Sequence, residues 1–153
     1  MANNRTKGAA VGGALIALVG SAEGLRQNAY PDPGTHGKPW TICYGHTGDV
    51  RPGDKMTTPQ CKDLMLKDLE IYADKVQECT KKEITDEQFV AFVDFSFNLG
   101  SARYCKSIAP LVNEGRIKEA CNKLLEFNRA AGFVMPGLTK RRERERSFCL
   151  HGV

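Results

Sequence analysis

Six cysteines constrain how this chain can fold more than any other feature of its sequence. They are spread over most of the 153 residues, at Cys43, Cys61, Cys79, Cys105, Cys121 and Cys149. No two of them form a Cys-x-x-Cys pair, so their spacing does not favour a metal site. An even number of cysteines in a small chain is typical of an oxidising compartment, where disulfides would cross-link the fold. The alternative is that several are free thiols, buried as small apolar side chains.

Composition is typical of a single globular domain. Hydrophobic residues make up 41% of the chain and charged residues 26%, and its length suits either one core or a helical bundle with a small β lobe. The net charge is +4 at pH 7, and basic side chains outnumber acidic ones between residues 114 and 146. Such a basic region suits an anionic polymer, whether nucleic acid, a membrane surface or a bacterial envelope. The other interpretation is a solvated helix surface, because Arg141 and Glu145 form an i,i+4 pair.

Two carboxyl groups and a hydroxyl group lie close together in the sequence, at Glu23, Asp32 and Thr41. Cleavage of a glycosidic bond needs one protonated carboxyl group for the leaving oxygen and one ionised group to assist water. Gly24 is placed to end a long apolar helix directly after Glu23. Residues 31 to 37 are rich in turn formers, and residues 40 to 44 are typical of a short strand. A helix end that faces a small hairpin forms a cleft, so this pattern predicts a glycosidase active site.

Metal chemistry is not expected in this chain. The histidines are too scattered for a metal site, at His36, His46 and His151. We therefore predict no metal and no cofactor, and we expect His46 to stabilise the hairpin.

Five short motifs carry a resemblance to a known family. They are Glu23-Gly24-Leu25-Arg26, Tyr30-x-Asp32, Thr41-x-x-x-Gly45-His46, Phe97-Asn98-Leu99-Gly100 and Gly137-Leu138-x-x-Arg141-Arg142. With these motifs, the chain resembles the phage-type lysozymes, endolysins related to the phage T4 enzyme, and within them the signal-anchor-release subgroup. One departure is that the segment between Asp32 and Thr41 is longer than in the T4 enzyme, which affects the shape of the hairpin.

The resemblance implies the catalytic roles. Glu23 would be the general acid, Asp32 would orient or deprotonate the attacking water, and Thr41 would hydrogen-bond that water. Because Glu23 lies between an apolar helix and the protein body, we expect burial to keep it protonated, whereas Asp32 in a polar turn stays ionised. The family implies an inverting reaction, which predicts a distance between the two carboxyl groups of roughly 6.5 to 9.5 Å.

Further site residues and the disulfide pairs are also implied by the resemblance. The candidate substrate contacts are Tyr30, Trp40 and Asn98. Packing roles for these three are equally compatible with the sequence. The candidate supporting residues are Gly24, His46, Arg141 and Arg142. One of the two arginines would reach back to Glu23 and join the lobes. The implied disulfide pairs are Cys43–Cys61, Cys79–Cys105 and Cys121–Cys149.

The first 22 residues allow two interpretations. A polar, positively charged start precedes an uncharged run from residue 8 to 22, which is the layout of an export signal. Cleavage after Ala22, however, would leave Glu23 on a frayed terminus. A helix of this length spans about 22 Å against a bilayer core of about 30 Å, so the run fits a marginal, releasable anchor like that of the signal-anchor-release endolysins. The alternative is the first helix of a cytoplasmic lysozyme, packed through Val11, Leu15, Leu18 and Val19.

Helix signals divide the rest of the chain. A helix is predicted from Thr58 to about Cys79, and Thr85 with Gln88 forms a capping box that opens a helix ending at Gly100. The phenylalanines of that second helix predict its core face. Further helices are predicted at Ser107 to Glu114, Arg116 to Phe127 and Leu138 to Leu150.

Together these features predict an α+β, lysozyme-like fold. We expect residues 1–22 to form the anchor-like segment or first helix and residues 23–153 the lysozyme domain. Within that domain, an N-terminal lobe at about 23–57 with a short antiparallel sheet is joined by a helix at 58–80 to a helical lobe at 81–153.

The function implied by the resemblance is hydrolysis of the β-1,4 bond between N-acetylmuramic acid and N-acetylglucosamine in peptidoglycan, leading to lysis of a bacterial host. The alternatives are a lytic transglycosylase, which needs no water-activating Asp32, and a non-catalytic membrane-binding or wall-binding protein. We expect a monomer that binds glycan strands and no nucleic acid. It would lie in the host periplasm, first tethered transiently to the inner membrane through residues 8–22. The alternative location is the host cytoplasm until a holin releases it.

Overall fold

The computed structural model describes residues 5–6, 8–32 and 37–152. Its elements in chain order are α1 (Ala9–Glu23), β1 (Arg26–Pro31), β2 (Trp40–Cys43), α2 (Thr58–Cys79), α3 (Asp86–Leu99), α4 (Ser101–Arg103), a π-helical turn (Tyr104–Ile108), α5 (Ala109–Asn113), α6 (Ile117–Lys123), a 3₁₀ turn (Leu124–Glu126), β3 (Arg129–Ala130), β4 (Phe133–Val134) and α7 (Pro136–His151). β1 pairs with β2 and β3 with β4, both antiparallel. The predicted α+β arrangement of a small lobe with a short sheet, a connecting helix and a helical lobe is confirmed.

Capping boxes start the helices α2 and α3. The Thr57 hydroxyl accepts a hydrogen bond from the backbone N–H of Gln60, and the backbone N–H of Thr57 donates one to the side-chain oxygen of Gln60, which opens α2. Thr85 and Gln88 do the same for α3, as predicted. Because these bonds satisfy backbone donors at each helix start, the beginnings of both helices are set locally.

The core is centred on α3, which packs against α1, α2 and α7. Phe89, Phe92 and Phe95 on this helix are fully buried, as the phenylalanine pattern predicts. Phe97 is half-buried and makes an edge-to-face contact with Tyr72 of α2, with ring centroids 5.3 Å apart. α2, which connects the two lobes, is therefore packed directly onto the helical lobe.

The run from residue 8 to 22 lies within the folded protein in this structure. Val11, Leu15 and Val19 of α1 are buried, and Leu18 is half-buried against the core. Gly20 allows a close approach, because a Cβ there would lie 3.2 Å from the ring of Tyr44. Within the described ranges, no helix combines the length and the apolar character that crossing a bilayer requires.

Three disulfides cross-link the fold. Cys43–Cys61 joins β2 to α2, Cys79–Cys105 joins the end of α2 to the π-helical turn, and Cys121–Cys149 joins α6 to α7. These are the three pairs that the resemblance implies. The alternative of free cysteines is wrong, since every cysteine is paired.

Two predicted helices differ from the observed ones. The helix expected at Ser107 to Glu114 starts earlier, and its hydrogen-bond pattern widens to a π turn ahead of α5. Pro110 near the start of α5 has no N–H group, so the i→i−4 pattern cannot run through it unchanged. The helix expected at Arg116 to Phe127 ends as a 3₁₀ turn.

The hairpin of β3 and β4 is absent from the sequence-based expectations. Its two turn residues, Ala131 and Gly132, have φ values of 51° and 84°, as a tight two-residue turn requires. Gly132 is the one residue here that indicates a turn. An alanine at positive φ is uncommon, and strands of two residues are too short to show an alternation of apolar and polar side chains.

We expect the double substitution Cys121→Ala with Cys149→Ala to lower the free energy of unfolding by about 3 kcal/mol, because this disulfide closes a long loop in the unfolded chain. The two cysteines are 28 residues apart. Guanidinium unfolding under oxidising conditions measures the effect, with the unsubstituted chain as the control. An unchanged midpoint would contradict the prediction.

Candidate active site

Glu23 is the last residue of α1 and stands where the helix gives way to the hairpin. The following residue, Gly24, has φ of 76° and donates its N–H to the carbonyl of Gly20 at 3.0 Å. A positive φ of this kind is accessible to glycine at little cost, so Gly24 stops the helix and turns the chain towards β1. The Glu23 side chain is consequently held at a rigid helix end.

Arg141 of α7 is the arginine that reaches Glu23. Its Nη1 donates to Oε1 of Glu23 at 2.6 Å, while its Nε and Nη2 donate to the two carboxylate oxygens of Asp94 at 3.2 and 2.8 Å. The Arg141 side chain is 9% exposed and the Glu23 side chain 25%. The Glu23 carboxyl group is therefore partly buried, and its hydrogen-bond partner is a guanidinium rather than an apolar surface.

Arg142 points away from Glu23, into the helical lobe. It is fully buried, its Nη2 donates to Asn98 and to Glu145 at 2.8 Å each, and its guanidinium lies 5.1 Å from the centre of the Phe95 ring. The predicted solvated surface is wrong for this part of α7, since Arg141, Arg142 and Glu145 are all buried. Arg141 and Glu145, at i,i+4 spacing, lie on the face of α7 that packs against α3, where Asp94 supplies a counter-charge to Arg141.

The hairpin brings Asp32 and Thr41 to the same end of the small sheet. Thr41 pairs with Tyr30 in the β1–β2 register, and Asp32 follows directly after β1. The Thr41 hydroxyl is buried and donates to the carbonyl of Pro39 at 3.3 Å, which leaves its oxygen able to accept a bond. The predicted lengthening of the loop between Asp32 and Thr41 falls partly on residues 33–36, outside the described residues.

The turn after β2 lies against the Glu23 carboxyl group. A Cβ built on Gly45, where φ is 84°, would stand 3.7 Å from Oε2 of Glu23. The backbone N–H of His46 donates to the carbonyl of Ile42 at 2.9 Å and closes this turn. Glu23 thus lies between the turn of one lobe and Arg141 of the other.

His46 fastens the hairpin to α2. Its ring nitrogens lie 2.7 Å from an oxygen of Asp68 and 2.8 Å from an oxygen of Asp49. Partial burial lowers the pKa of His46, but the hydrogen bonds and charges of Asp49 and Asp68 outweigh this, so its pKa is raised. Contact with His46 in turn lowers the pKa of Asp49. These contacts agree with the expected stabilising role of His46.

The three candidate substrate contacts differ in their surroundings. Tyr30 lies under the guanidinium of Arg26, 4.3 Å from the ring centre, and Trp40 is half-buried opposite Pro31. The side-chain oxygen of Asn98 accepts the bond from Arg142, which gives it a structural partner in the helical lobe. Tyr30 and Trp40 therefore lie on the β1–β2 hairpin, whereas Asn98 lies in the helical lobe in contact with Arg142.

A cavity of about 530 Å³ adjoins the end of α1. Its lining residues are Ser21, Ala22, Ala130, Met135, Gly137, Leu138, Arg141 and Arg144. Ala130 of β3 and the start of α7 form one wall of this cavity. The sequence does not predict that these residues line a cavity, although Gly137 and Leu138 belong to one of the five motifs. Among the described residues, no group of histidine, cysteine or acidic side chains is arranged to hold a metal ion.

We expect Asp68→Asn to destabilise the protein more at pH 6 than at pH 8.5, by about 1 kcal/mol for this partly exposed pair. The pKa of His46 is higher in the folded protein than its unfolded-state value of about 6.5. Its pairing with Asp68 therefore contributes fully to the free energy of unfolding below that unfolded-state pKa. This contribution is lost as the pH rises through the folded-state pKa. Urea unfolding at both pH values measures the difference. Asp63→Asn, at an exposed position on the same helix, is the control and should show no such pH dependence.

Comparison with known proteins places this geometry in a family. Residues 20–145 match the Phage lysozyme family. The chain is 35% identical to the SAR-endolysin of bacteriophage PS119, covering 94% of this chain and 92% of that protein. It is 37% identical to the endolysin of Bacillus phage B103, covering 90% of this chain. The chain spans about half the length of the Bacillus phage endolysins that it matches.

Solved structures show the same fold. The active form of the P1 phage endolysin Lyz superimposes with a TM-score of 0.78 at 32% identity, covering 91% of this chain and 84% of that one. The secreted inactive form of the same endolysin gives a TM-score of only 0.58. The arrangement described here is thus closer to the active form, and the predicted lysozyme-like fold is confirmed. By its sequence, its fold and the motifs around Glu23, the chain belongs to the phage lysozyme family.

Proposed function

We propose that the protein is an endolysin that hydrolyses the β-1,4 bond between N-acetylmuramic acid and N-acetylglucosamine in bacterial peptidoglycan. The observation that carries this proposal is the position of the Glu23 carboxyl group. It lies in the cleft between the lobes, bonded to Arg141 on one side and next to the Gly45 turn on the other. Membership of the phage lysozyme family supports the same substrate class.

The proposed chemistry divides between the two sides of the cleft. Glu23 protonates the leaving glycosidic oxygen as the general acid. On the hairpin side, the Asp32 carboxylate accepts the proton of the water that attacks the sugar from the opposite face, and the Thr41 hydroxyl helps to position this water. This arrangement gives inversion, for which the two carboxyl groups need roughly 6.5 to 9.5 Å between them to admit the water. Tyr30 and Trp40 flank the hairpin side as substrate contacts.

We also propose that residues 8–22 tether the protein to the inner membrane before it acts in the periplasm. The names of the SAR-endolysin relatives support this, as does an oxidising compartment for the three disulfides. Glu23 ends the helix that contains this run, so the acid reaches Arg141 only when α1 packs into the fold. In this proposal, residues 23–153 act as a monomeric lysozyme domain whose lobes are joined by the 58–80 helix.

We expect Glu23→Gln to lower the rate of peptidoglycan cleavage by at least about 100-fold, because the amide cannot protonate the leaving group. Circular dichroism and the thermal midpoint should remain those of a folded protein. Glu143→Gln, at an exposed position on α7, is the matched control and should retain activity.

Analysis of the products extends this test to the reaction type. Reducing sugar ends are expected, whereas 1,6-anhydro ends would identify a lytic transglycosylase. A folded Glu23→Gln variant that still cleaves at the normal rate would overturn the assignment of the acid.

We expect Ala17→Lys to remove membrane association while leaving the enzyme active. Ala17 is exposed on the folded α1, so a lysine there is tolerated by the fold. In a bilayer, the same charge near the middle of the run costs about 2.5 to 3.5 kcal/mol. Fractionation of cells that express the full chain, together with cleavage by the purified protein, measures both effects. Ala17→Leu is the control, and an unchanged membrane fraction for Ala17→Lys would contradict the tether.

A further inference from the structure

Asp94 is a buried acid within the apolar face of α3. It is fully buried between Val93 and Phe95, and both of its oxygens accept hydrogen bonds from Arg141. Burying a carboxylate is costly unless a cation and hydrogen bonds compensate it, so this contact is specific. Arg141 therefore donates hydrogen bonds to two acids, Asp94 on α3 and Glu23 on α1, while Glu145 lies 4.0 Å away.

The contact with Asp94 changes what Arg141 does to Glu23. A cation without a counter-ion, 2.6 Å from Glu23, would favour the ionised form of that acid. A general acid must instead carry a proton when substrate binds. With its charge compensated by the Asp94 carboxylate, Arg141 can donate a hydrogen bond to a protonated Glu23 without requiring it to ionise.

We propose that Asp94 is a positioning residue that holds Arg141 against Glu23 and cancels its charge, so that Glu23 keeps the proton needed for catalysis. This inference rests on the proposed function of Glu23 as the general acid. Asp94 lies outside the five motifs, and it acts on Glu23 through Arg141 without contacting the substrate.

Other charged groups lie on the elements that pack around Glu23. On α7, the guanidinium of Arg144 bonds to Ser21 and is exposed to solvent, and Glu145 lies 4.0 Å from Arg141 while pairing with Arg142. On the hairpin side, Asp32 follows β1, and His46 faces the two carboxylates of Asp49 and Asp68.

The pKa directions agree with this geometry. Burial lowers the pKa of Arg141, but its bonds to Asp94 and Glu23 outweigh burial and raise it. Burial first, and then the neighbouring Asp94, raise the pKa of Glu145. Glu145 is therefore a useful comparison, since it belongs to the same cluster but makes no direct bond to Glu23.

The test is the pH profile of kcat for peptidoglycan cleavage by Asp94→Asn. Arg141 then faces Glu23 without the Asp94 carboxylate that accepts two of its hydrogen bonds, so the alkaline limb should move to lower pH by about one unit. Above the shifted limb this is about a tenfold loss of kcat, and KM should change little. Glu145→Gln should shift the limb less. A merely structural role for Asp94 would lower kcat equally at every pH, and that result would overturn the proposal.

The double variant Asp94→Asn with Arg141→Gln keeps the test decisive if the single variant fails to fold. It removes the acid and the cation together, so its alkaline limb should return close to that of the unsubstituted enzyme. A limb that stays shifted in the double variant would refute charge cancellation.

Glu23→Gln separates the two proposals. If Glu23→Gln is inactive but Asp94→Asn has an unshifted profile, only the role of Asp94 is refuted. If Glu23→Gln remains active, the proposed function itself is wrong, whatever the profile of Asp94→Asn.

Discussion

Arg141 carries a buried positive charge that lies between carboxyl groups from two other helices. Its bonds to Glu23 and Asp94 connect α7 to the end of α1 and to the middle of α3. A guanidinium removed from water is tolerated only where its N–H groups find acceptors and its charge finds a counter-charge. The relative positions of these three helices are therefore coupled through one side chain. As a result, Glu23 is placed only when the helical lobe has formed around Arg141.

The opposite side of the cleft is held by a different set of contacts. The disulfide Cys43–Cys61 and the hydrogen bond between His46 and Asp68 both attach the hairpin to α2. Glu23 is bonded to α7, whereas the hairpin is attached to α2. α1 also contacts the hairpin side, because Gly20 closely approaches the ring of Tyr44. The packing of α1 against both sides therefore sets the position of the Glu23 carboxyl group.

Local sequence signals predicted much of this structure. The capping box at Thr85 and Gln88 and the glycine after Glu23 depend on residues only a few positions apart, so their physical meaning is visible in the sequence. The disulfide pairs, by contrast, came from the family resemblance, since spacing alone does not determine pairing.

Buried charge is the feature that the sequence predicts least well in this protein. Arg141 and Glu145 have the spacing of an exposed ion pair, but the same spacing also places two residues on one buried helix face. Asp94 is not among the residues that the motifs indicate, although an acid inside a phenylalanine-rich face is a usable signal. A charge in such a position needs a partner, and the sequence does not say where that partner lies.

The sequence by itself determined the family, the principal helices and the candidate acid, because motifs, helix caps and apolar periodicity are properties of neighbouring residues. Only the tertiary structure decided which charges are buried and which of them meet. Arg141 is 118 residues from Glu23 and 47 from Asp94 along the chain. The electrostatics of the site depend on these long-range contacts, because the strength of a charge interaction is set by distance and burial after packing.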